Sequence, residues 1–480
     1  PRWRPSWQVT VERGSRSKAV TVPPMFSASH AREEAQIRAW LAENIGGTVT
    51  AFERLPRWRP SWQVTVERGG ETLALHVRGD RPSGLGICPL RREYDVLSLL
   101  QANGIPVPHI HGWCPQPEAI VMAHLNDTPF LGDVDGDPAV QGMVEDYAGH
   151  LARIHALDIA PFVAAGLKPG ENPEAVALDY LLLSESHYEA EDRPDALLRF
   201  VTGWLRRHLP LHRNTNVLLI GDAPQFFHNG QRVTALYDLE LAKLGDPLAD
   251  LASIRVRDIN EPIRDVAAVL ARYVEESGCT IDWPVLTYYT VLLFIAVPMM
   301  TKATFRKVSP HPAYVEYLSW GMGATRAALE AIAEGKGYAL DPAPPVPAVP
   351  LRDANAWRDL VVQTGALPTE GFFRAPPTQS LALYLQRLAE SGDAIAQAEL
   401  DDARTILGMA DAQAASLEAQ LDAFVEQAAP DRDRDLVRYF HRRQMRRLQL
   451  LRDYPGPIVT RGLAPLDRLF PDAYPRATAG

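Results

Sequence analysis

The spacing of apolar residues changes once along this chain, and that change sets its fold class. Between about residues 45 and 125, apolar residues alternate in short runs such as TVTAFERL, WQVTVERG and ETLALHVRG. A period of two belongs to a half-buried strand. The last two runs meet at Gly69-Gly70, the punctuation of a hairpin. One helical run, RREYDVLSLLQANG, follows and stops at a glycine, and the proline-broken IPVPHIHGWCPQPEAIVMAHL turns back into strands. Another helix is expected at 31–43, capped by Ser29 and ended by Gly46-Gly47. From about 141 the period becomes helical, in EDYAGHLARIHALD and RPDALLRFVTGWLRRHLP, with a loop-rich LKPGENPE between them. The pattern predicts an α+β chain, with a small sheet carrying one helix before a larger helical part.

Length and charge narrow the classes. The 480 residues allow two or three domains, and 46% hydrophobic residues allow sizeable cores. A net charge of -10 argues against a protein that coats nucleic acid. Three cysteines, Cys88, Cys114 and Cys279, have no close spacing, so neither a disulfide framework nor a cysteine zinc site is expected. The greasy run VLLFIAVPMM is too short to span a bilayer and reads as part of a buried helix. A cytoplasmic protein with no nucleic-acid or membrane partner is expected. The proline-rich DPAPPVPAVP at 341–350 separates a last helical region ending in the basic run FHRRQMRRLQLLRD.

The stretch 216–238 carries the densest chemistry. Strands are expected at 216–220 and 232–237, as neighbours, with Asp222 just after the first and Asp238 just after the second. Loops at strand ends hold acids rigidly while leaving them reachable by solvent. One carboxylate can orient and deprotonate a hydroxyl, the other can bind Mg²⁺ between phosphates, and Gln225 can add a neutral oxygen to the same metal. Spacing alone leaves a second reading open, in which these acids only cap turns made by Gly221, Gly230 and Gly245.

The segment GDAPQFF…RVTALYDLELAKLGDPLADLA resembles the catalytic region of the aminoglycoside phosphotransferase-like kinases, a superfamily that includes choline kinases and the kinase domain fused to some acyl-CoA dehydrogenases. REYDVLSLLQANGIPVPHIHG resembles the family's N-lobe helix, IVMAHLNDTP its hinge, and YAGHLARIHALD the helix beyond. The resemblance covers roughly 45–335 and implies a bilobal protein-kinase-like fold that uses ATP and Mg²⁺. It implies that Asp222 is the catalytic Asp, that Asp238 binds magnesium, and that Glu93 orients a phosphate-binding basic residue. Arg78 stands where many members have Lys, and its fork geometry suits ATP phosphates. From the residues alone, Arg78 reads equally as a strand-end charge and Glu93 as a solvated helix residue. Asp250 is expected to anchor backbone near the site.

Two departures stand out. Ile220 replaces the family's His before Gly-Asp, and the loop from Asp222 to Asp238 is short, leaving Gln225 or Phe227 where the family has Asn. Gln225 is preferred, because Phe226 and Phe227 then become core-facing strand residues, and a carbonyl oxygen is retained. His228 has no partner His at metal-ligand spacing and reads as a turn residue. In the phosphate loop, PRWRPS replaces the usual glycines, with Arg57, Arg59 and Ser61 as donors; the plain reading is a tight turn with surface arginines. The fourteen residues PRWRPSWQVTVERG also open the chain, at 1–14, where no strand precedes them. An extension or artefactual repeat is expected there, with Met25 a natural start.

The expected organisation is therefore an extension at 1–24, an N-lobe at 25–125, a C-lobe at 126–340, the linker at 341–350 and helices at 351–480. The leading function is ATP- and Mg²⁺-dependent phosphoryl transfer to a hydroxyl of a small metabolite. The alternatives are a pseudokinase that binds nucleotide or metabolite without transfer, and an interaction protein whose C-terminal helices make a homodimer. Acids on the expected substrate side, such as Glu185, Glu189, Glu191 and Asp192, alternate with Arg193, Arg199, Arg206 and Arg207. That mixture does not suit a polycation, so a neutral or weakly charged acceptor with an apolar portion is expected. A hydroxyacyl thioester is allowed by the resemblance.

Overall fold

The computed structural model describes residues 8–9, 20–21, 27–55, 59–81, 88–130, 132, 137–188, 195–305, 314–342, 344–369, 375–454 and 466–469. The chain divides into two compact units, Pro1–Gln101 with Pro108–Asn126, and Ala102–Val107 with Asp127–Gly480. The expected α+β, bilobal protein-kinase-like architecture is borne out.

The first unit contains β1 (Gln8–Val9), β2 (Val20–Thr21), α1 (Ser27–Asn44), β3 (Thr48–Arg54), β4 (Ser61–Arg68), β5 (Glu71–Gly79), α2 (Leu90–Ala102), β6 (Ile110–Pro115) and β7 (Glu118–Ala123). Of the repeated stretch's first copy, only Gln8–Val9 is described, paired antiparallel with Val20–Thr21. The main sheet runs β3-β4-β5-β7-β6, with every pair antiparallel. Alternation puts Trp62, Val64 and Val66 of β4 on one face, opposite Val77, Leu75 and Leu73 of β5. Ile37, Leu41 and Ile45 cover that face; Ile37 and Leu41 lie one helical turn apart on α1.

The second unit contains β8 (Thr128–Pro129), α3 (Ala139–His155), α4 (Ala160–Ala164), α5 (Pro173–Tyr188), α6 (Ala196–Arg207), β9 (Val217–Leu219), β10 (Phe226–His228), β11 (Val233–Leu236), β12 (Lys243–Gly245), α7 (Leu248–Asp258), α8 (Val266–Ser277), α9 (Trp283–Phe305), α10 (Tyr314–Lys336), α11 (Ala354–Gly365), α12 (Pro377–Leu407), α13 (Leu417–Gln427) and α14 (Asp433–Leu448). The strands before Asp222 and Asp238 are not neighbours, contrary to expectation. β9 pairs with β12, whereas β11 pairs with β10, which also pairs with β8. The three-residue strands β10 and β12 are too short to announce themselves by alternation. The loop LKPGENPE ends earlier than its composition suggests, because Pro173 opens α5, where a missing N–H costs nothing.

Helix α9 is 23 residues long, extending the greasy run on both sides. It is long and apolar enough to cross a membrane, but 78% of its most apolar window is buried within the fold. It packs against α5, α7 and α10 as a core helix.

The basic run of α14 differs from a solvated face. Arg443 pairs with Glu399 at 3.2 Å and Glu418 at 2.6 Å, Arg447 pairs with Glu399 at 2.6 Å, and Arg446 pairs with Asp402 at 2.8 Å. Arg442 pairs with Asp402 and with Asp341 of the proline-rich segment, at 3.2 and 2.8 Å. That segment is tied down further by a hydrogen bond from Gln449 to the Pro344 carbonyl at 2.9 Å.

Candidate functional site

The loop after β9 is fixed from below by α7. Asp250, 1% exposed, accepts hydrogen bonds from the backbone N–H of Ile220 at 2.7 Å and of Gly221 at 2.9 Å. Its Oδ2 also lies 3.2 Å from His155 Nε2, and His155 Nδ1 lies 2.7 Å from the Tyr273 hydroxyl. An imidazole therefore reaches the loop's anchor from α3, although Ile220 stands before Gly221. One turn on, Ser253 accepts from Ala223 N–H at 3.0 Å and donates to the Ala223 carbonyl at 3.1 Å. Gly221 has φ +84°, and a Cβ there would lie 2.5 Å from the Leu241 carbonyl oxygen, so only glycine fits.

This pinned loop presents Asp222, whose side chain is 33% exposed. Gln225, expected to share its site, donates from Nε2 to Asp222 Oδ2 at 2.8 Å. An ionised carboxylate only accepts, so the amide nitrogen must face it and Oε1 is turned away. Oε1 has no protein partner among the described residues. Phe226 and Phe227 lie on β10, and Phe226 stacks on Phe130 with centroids 4.7 Å apart. His228 accepts from Gly230 N–H at 3.1 Å, as a turn residue does. Asp238 adopts the left-handed conformation, φ 59° and ψ 52°, at the mouth of a short turn over Leu239–Leu241. Such a conformation in a non-glycine residue concentrates at functional sites.

Sequence reading missed Arg257, at the end of α7. Its Nη1 lies 2.9 Å from Asp222 Oδ1 and 3.0 Å from Oδ2, while Nε and Nη2 meet Glu261 at 3.0 and 2.6 Å. Burial opposes the charge, but Asp222 and Glu261 outweigh it and hold the guanidinium pKa above its ordinary value. The signal was helical phase: Arg257 follows Asp250 by seven residues, two turns on the same face. Arg255 is out of phase and pairs instead with Glu334 at 2.6 Å. Beside this group, burial and then Glu261 push the Tyr237 hydroxyl up to about 12.

The first unit brings together the other expected residues. Arg78 Nε lies 3.1 Å from Glu93 Oε2, with Glu93 3% exposed, so Glu93 is not a solvated helix residue. Arg59 is buried and lies 3.7 Å from the same oxygen. Ser61 is buried at the start of β4, opposite Arg78 in the register, rather than in the preceding loop. Arg57 lies outside the described residues.

One comparison with known families bears on this geometry. Residues 88–289 match the phosphotransferase enzyme family. The resemblance read from the motifs is borne out over that span, which holds Glu93, Asp222, Gln225, Asp238 and Arg257. The chain is 26% identical over 200 residues to acyl-CoA dehydrogenase family member 11 of Gallus gallus, covering 39% of this chain and 25% of the relative. It is 28% identical over 182 residues to acyl-CoA dehydrogenase family member 10 of Mus musculus, covering 34% of this chain and 16% of the relative. The chain thus matches about a quarter or less of the length of these relatives. Among solved structures, it is similar to choline kinase LicA from Streptococcus pneumoniae, with 16% identity, TM-score 0.46, and coverage of 63% of this chain and 99% of that one.

Proposed function

We propose that the protein is an ATP- and Mg²⁺-dependent phosphotransferase acting on a hydroxyl of a small, non-polycationic metabolite. The observation that carries this reading is the loop pinned by Asp250, which presents Asp222 inside the span matching the phosphotransferase family. Asp222 orients the acceptor hydroxyl. As the acceptor oxygen bonds to the γ-phosphorus, the bond to the β,γ-bridging oxygen breaks, ADP leaves with that electron pair, and the hydroxyl proton passes to Asp222. In the first unit, Arg78, oriented by Glu93, offers its guanidinium to phosphate, with Arg57, Arg59 and Ser61 assigned to the same task. In the second, Asp238 and Oε1 of the buried Gln225 would offer two oxygens to Mg²⁺, which supplies charge neutralisation when bound with nucleotide. Among the described residues no cluster of three His, Cys, Asp or Glu could hold a metal. Two protein oxygens fit Mg²⁺, which takes the rest of its ligands from phosphate and water.

The acceptor class rests on local charge. Glu185 is paired with Arg206 at 2.6 Å, Asp179 with Lys243 at 2.9 Å and Asp246 with Arg213 at 2.7 Å. Acids neutralised in this way favour a neutral or weakly charged acceptor over a polycation. A second reading, nucleotide binding without transfer, is favoured by Arg257 already engaging Asp222. The test is a Mg-ATP transfer screen over alcohols, sugars, hydroxyacyl-CoAs and aminoglycosides. Selective transfer to a neutral acceptor or a hydroxyacyl-CoA is expected. Selective transfer to an aminoglycoside overturns the acceptor class, and no transfer at all overturns the phosphotransferase reading.

A further inference from the structure

The two oxygens of Asp222 are not equivalent. Oδ2 accepts from both Gln225 Nε2 at 2.8 Å and Arg257 Nη1 at 3.0 Å, which fills its two lone pairs. Among the described residues Oδ1 accepts only from Arg257, at 2.9 Å, which leaves one of its lone pairs without a protein donor. Arg257 cannot swing away freely, because Glu261 takes its Nε and Nη2 in a two-pronged pair. Arg257 and Glu261 are four residues apart, and the Glu261 backbone N–H bonds the Arg257 carbonyl at 2.7 Å. The clamp is therefore built into the exit of α7, the helix whose Asp250 fixes the loop's backbone.

We infer that Arg257 is a positioning residue for the proposed transfer, locking the rotation of Asp222 so that Oδ1 alone meets the acceptor hydroxyl. This inference rests on the phosphotransferase reading. Backbone pinning by Asp250 fixes where the Asp222 Cα sits; it leaves the side-chain torsions free. Nη1, which meets both carboxylate oxygens while Glu261 holds the rest of the guanidinium, removes that remaining freedom, and the proton released by the acceptor has one destination. Lys at 257 would keep the charge but lose the fork.

The experiment compares wild type with Arg257→Met, Arg257→Lys and Glu261→Gln. Transfer is measured with Mg-ATP and the acceptor found by screening, and Asp222 is examined in a crystal structure of Arg257→Met. Misplacement on the scale of an ångström predicts kcat lower by about 100-fold in Arg257→Met. The KM for ATP should be unchanged, Arg257→Lys should recover part of the loss, and Glu261→Gln should show a smaller loss with the fold intact. In the crystal structure, Asp222 should have turned off its hydrogen bond to Gln225. Wild-type kcat in folded Arg257→Met and Glu261→Gln overturns the inference. Should wild type transfer to no acceptor, the functional reading fails separately and the crystal structure decides positioning: an unmoved Asp222 overturns it, and a rotated one sustains it.

Discussion

Asp238 is held at φ 59° in a region that L-residues enter at a cost of about 1 kcal/mol. Asp tolerates this region better than most, and glycine enters it freely. Asp353 adopts the same conformation at the start of α11, so only substitution separates a turn role from a charge role at Asp238. Asp238→Gly is accordingly expected to abolish transfer while the melting temperature does not fall, read by calorimetry beside the activity assay. A fall in melting temperature together with retained transfer would assign Asp238 to the turn alone. Asp222 and Asp238 could be singled out because each follows an apolar strand-like run, whereas Arg78 and Glu93 were singled out by the resemblance, and the structure pairs those two. Arg257 was not read, because RVRD offers two arginines and only the phase set by Asp250 says which one faces the loop. Ser61 was placed in the loop, because a proline precedes it and the strand's start shows only in its register opposite Arg78.

Among elements, α7 organises the second unit's candidate site. Asp250, Ser253 and Arg257 hold respectively the backbone at 220–221, the backbone at 223 and the side chain of 222. Replacing Asp250 by Ala strands two buried N–H groups and one imidazole, and a loss of about 3 kcal/mol is expected from urea unfolding. Asp250→Asn keeps one acceptor oxygen and should lose less. Equal stability of Asp250→Ala and wild type would mean that the loop holds itself. The long helices were legible, α3 and α6 from their 3.6-residue period and α9 from a continuous apolar run. The strand pairing was not. β9 through β12 are three or four residues each, too short for alternation to select a partner. Their pairing follows instead from where the pinned loop and the turn at Asp238 send the chain.

At the scale of the molecule, the C-terminal helices belong to the second unit. α14 packs on α10 and α12, α13 packs on α6, and Phe440 stacks with Phe200 at 5.8 Å. Glu399 lies at the centre of this packing, 6% exposed and bridging Arg443 and Arg447. Burial pushes its carboxyl up, but the Arg447 hydrogen bond and the charges of Arg447 and Arg443 outweigh burial and hold it below its ordinary 4.5. A lowered carboxyl pKa stabilises the fold fully above the unfolded value, and that contribution is lost as pH falls through the folded one. Glu399→Gln should therefore cost about 3 kcal/mol at neutral pH, with the gap to wild type closing under acid well below 4.5. A gap independent of pH would contradict the ionised pairing. The partners of the basic run were not legible because they lie 25 to 101 residues away in sequence. All of this scaffolding bears on one claim, that Asp222 carries phosphoryl transfer. The most direct test is the kcat of Asp222→Asn against wild type, with Mg-ATP and the screened acceptor both saturating. A fall of about 1,000-fold is expected, with ATP binding retained and the protein folded; an undiminished kcat would mean that Asp222 does not carry the transfer.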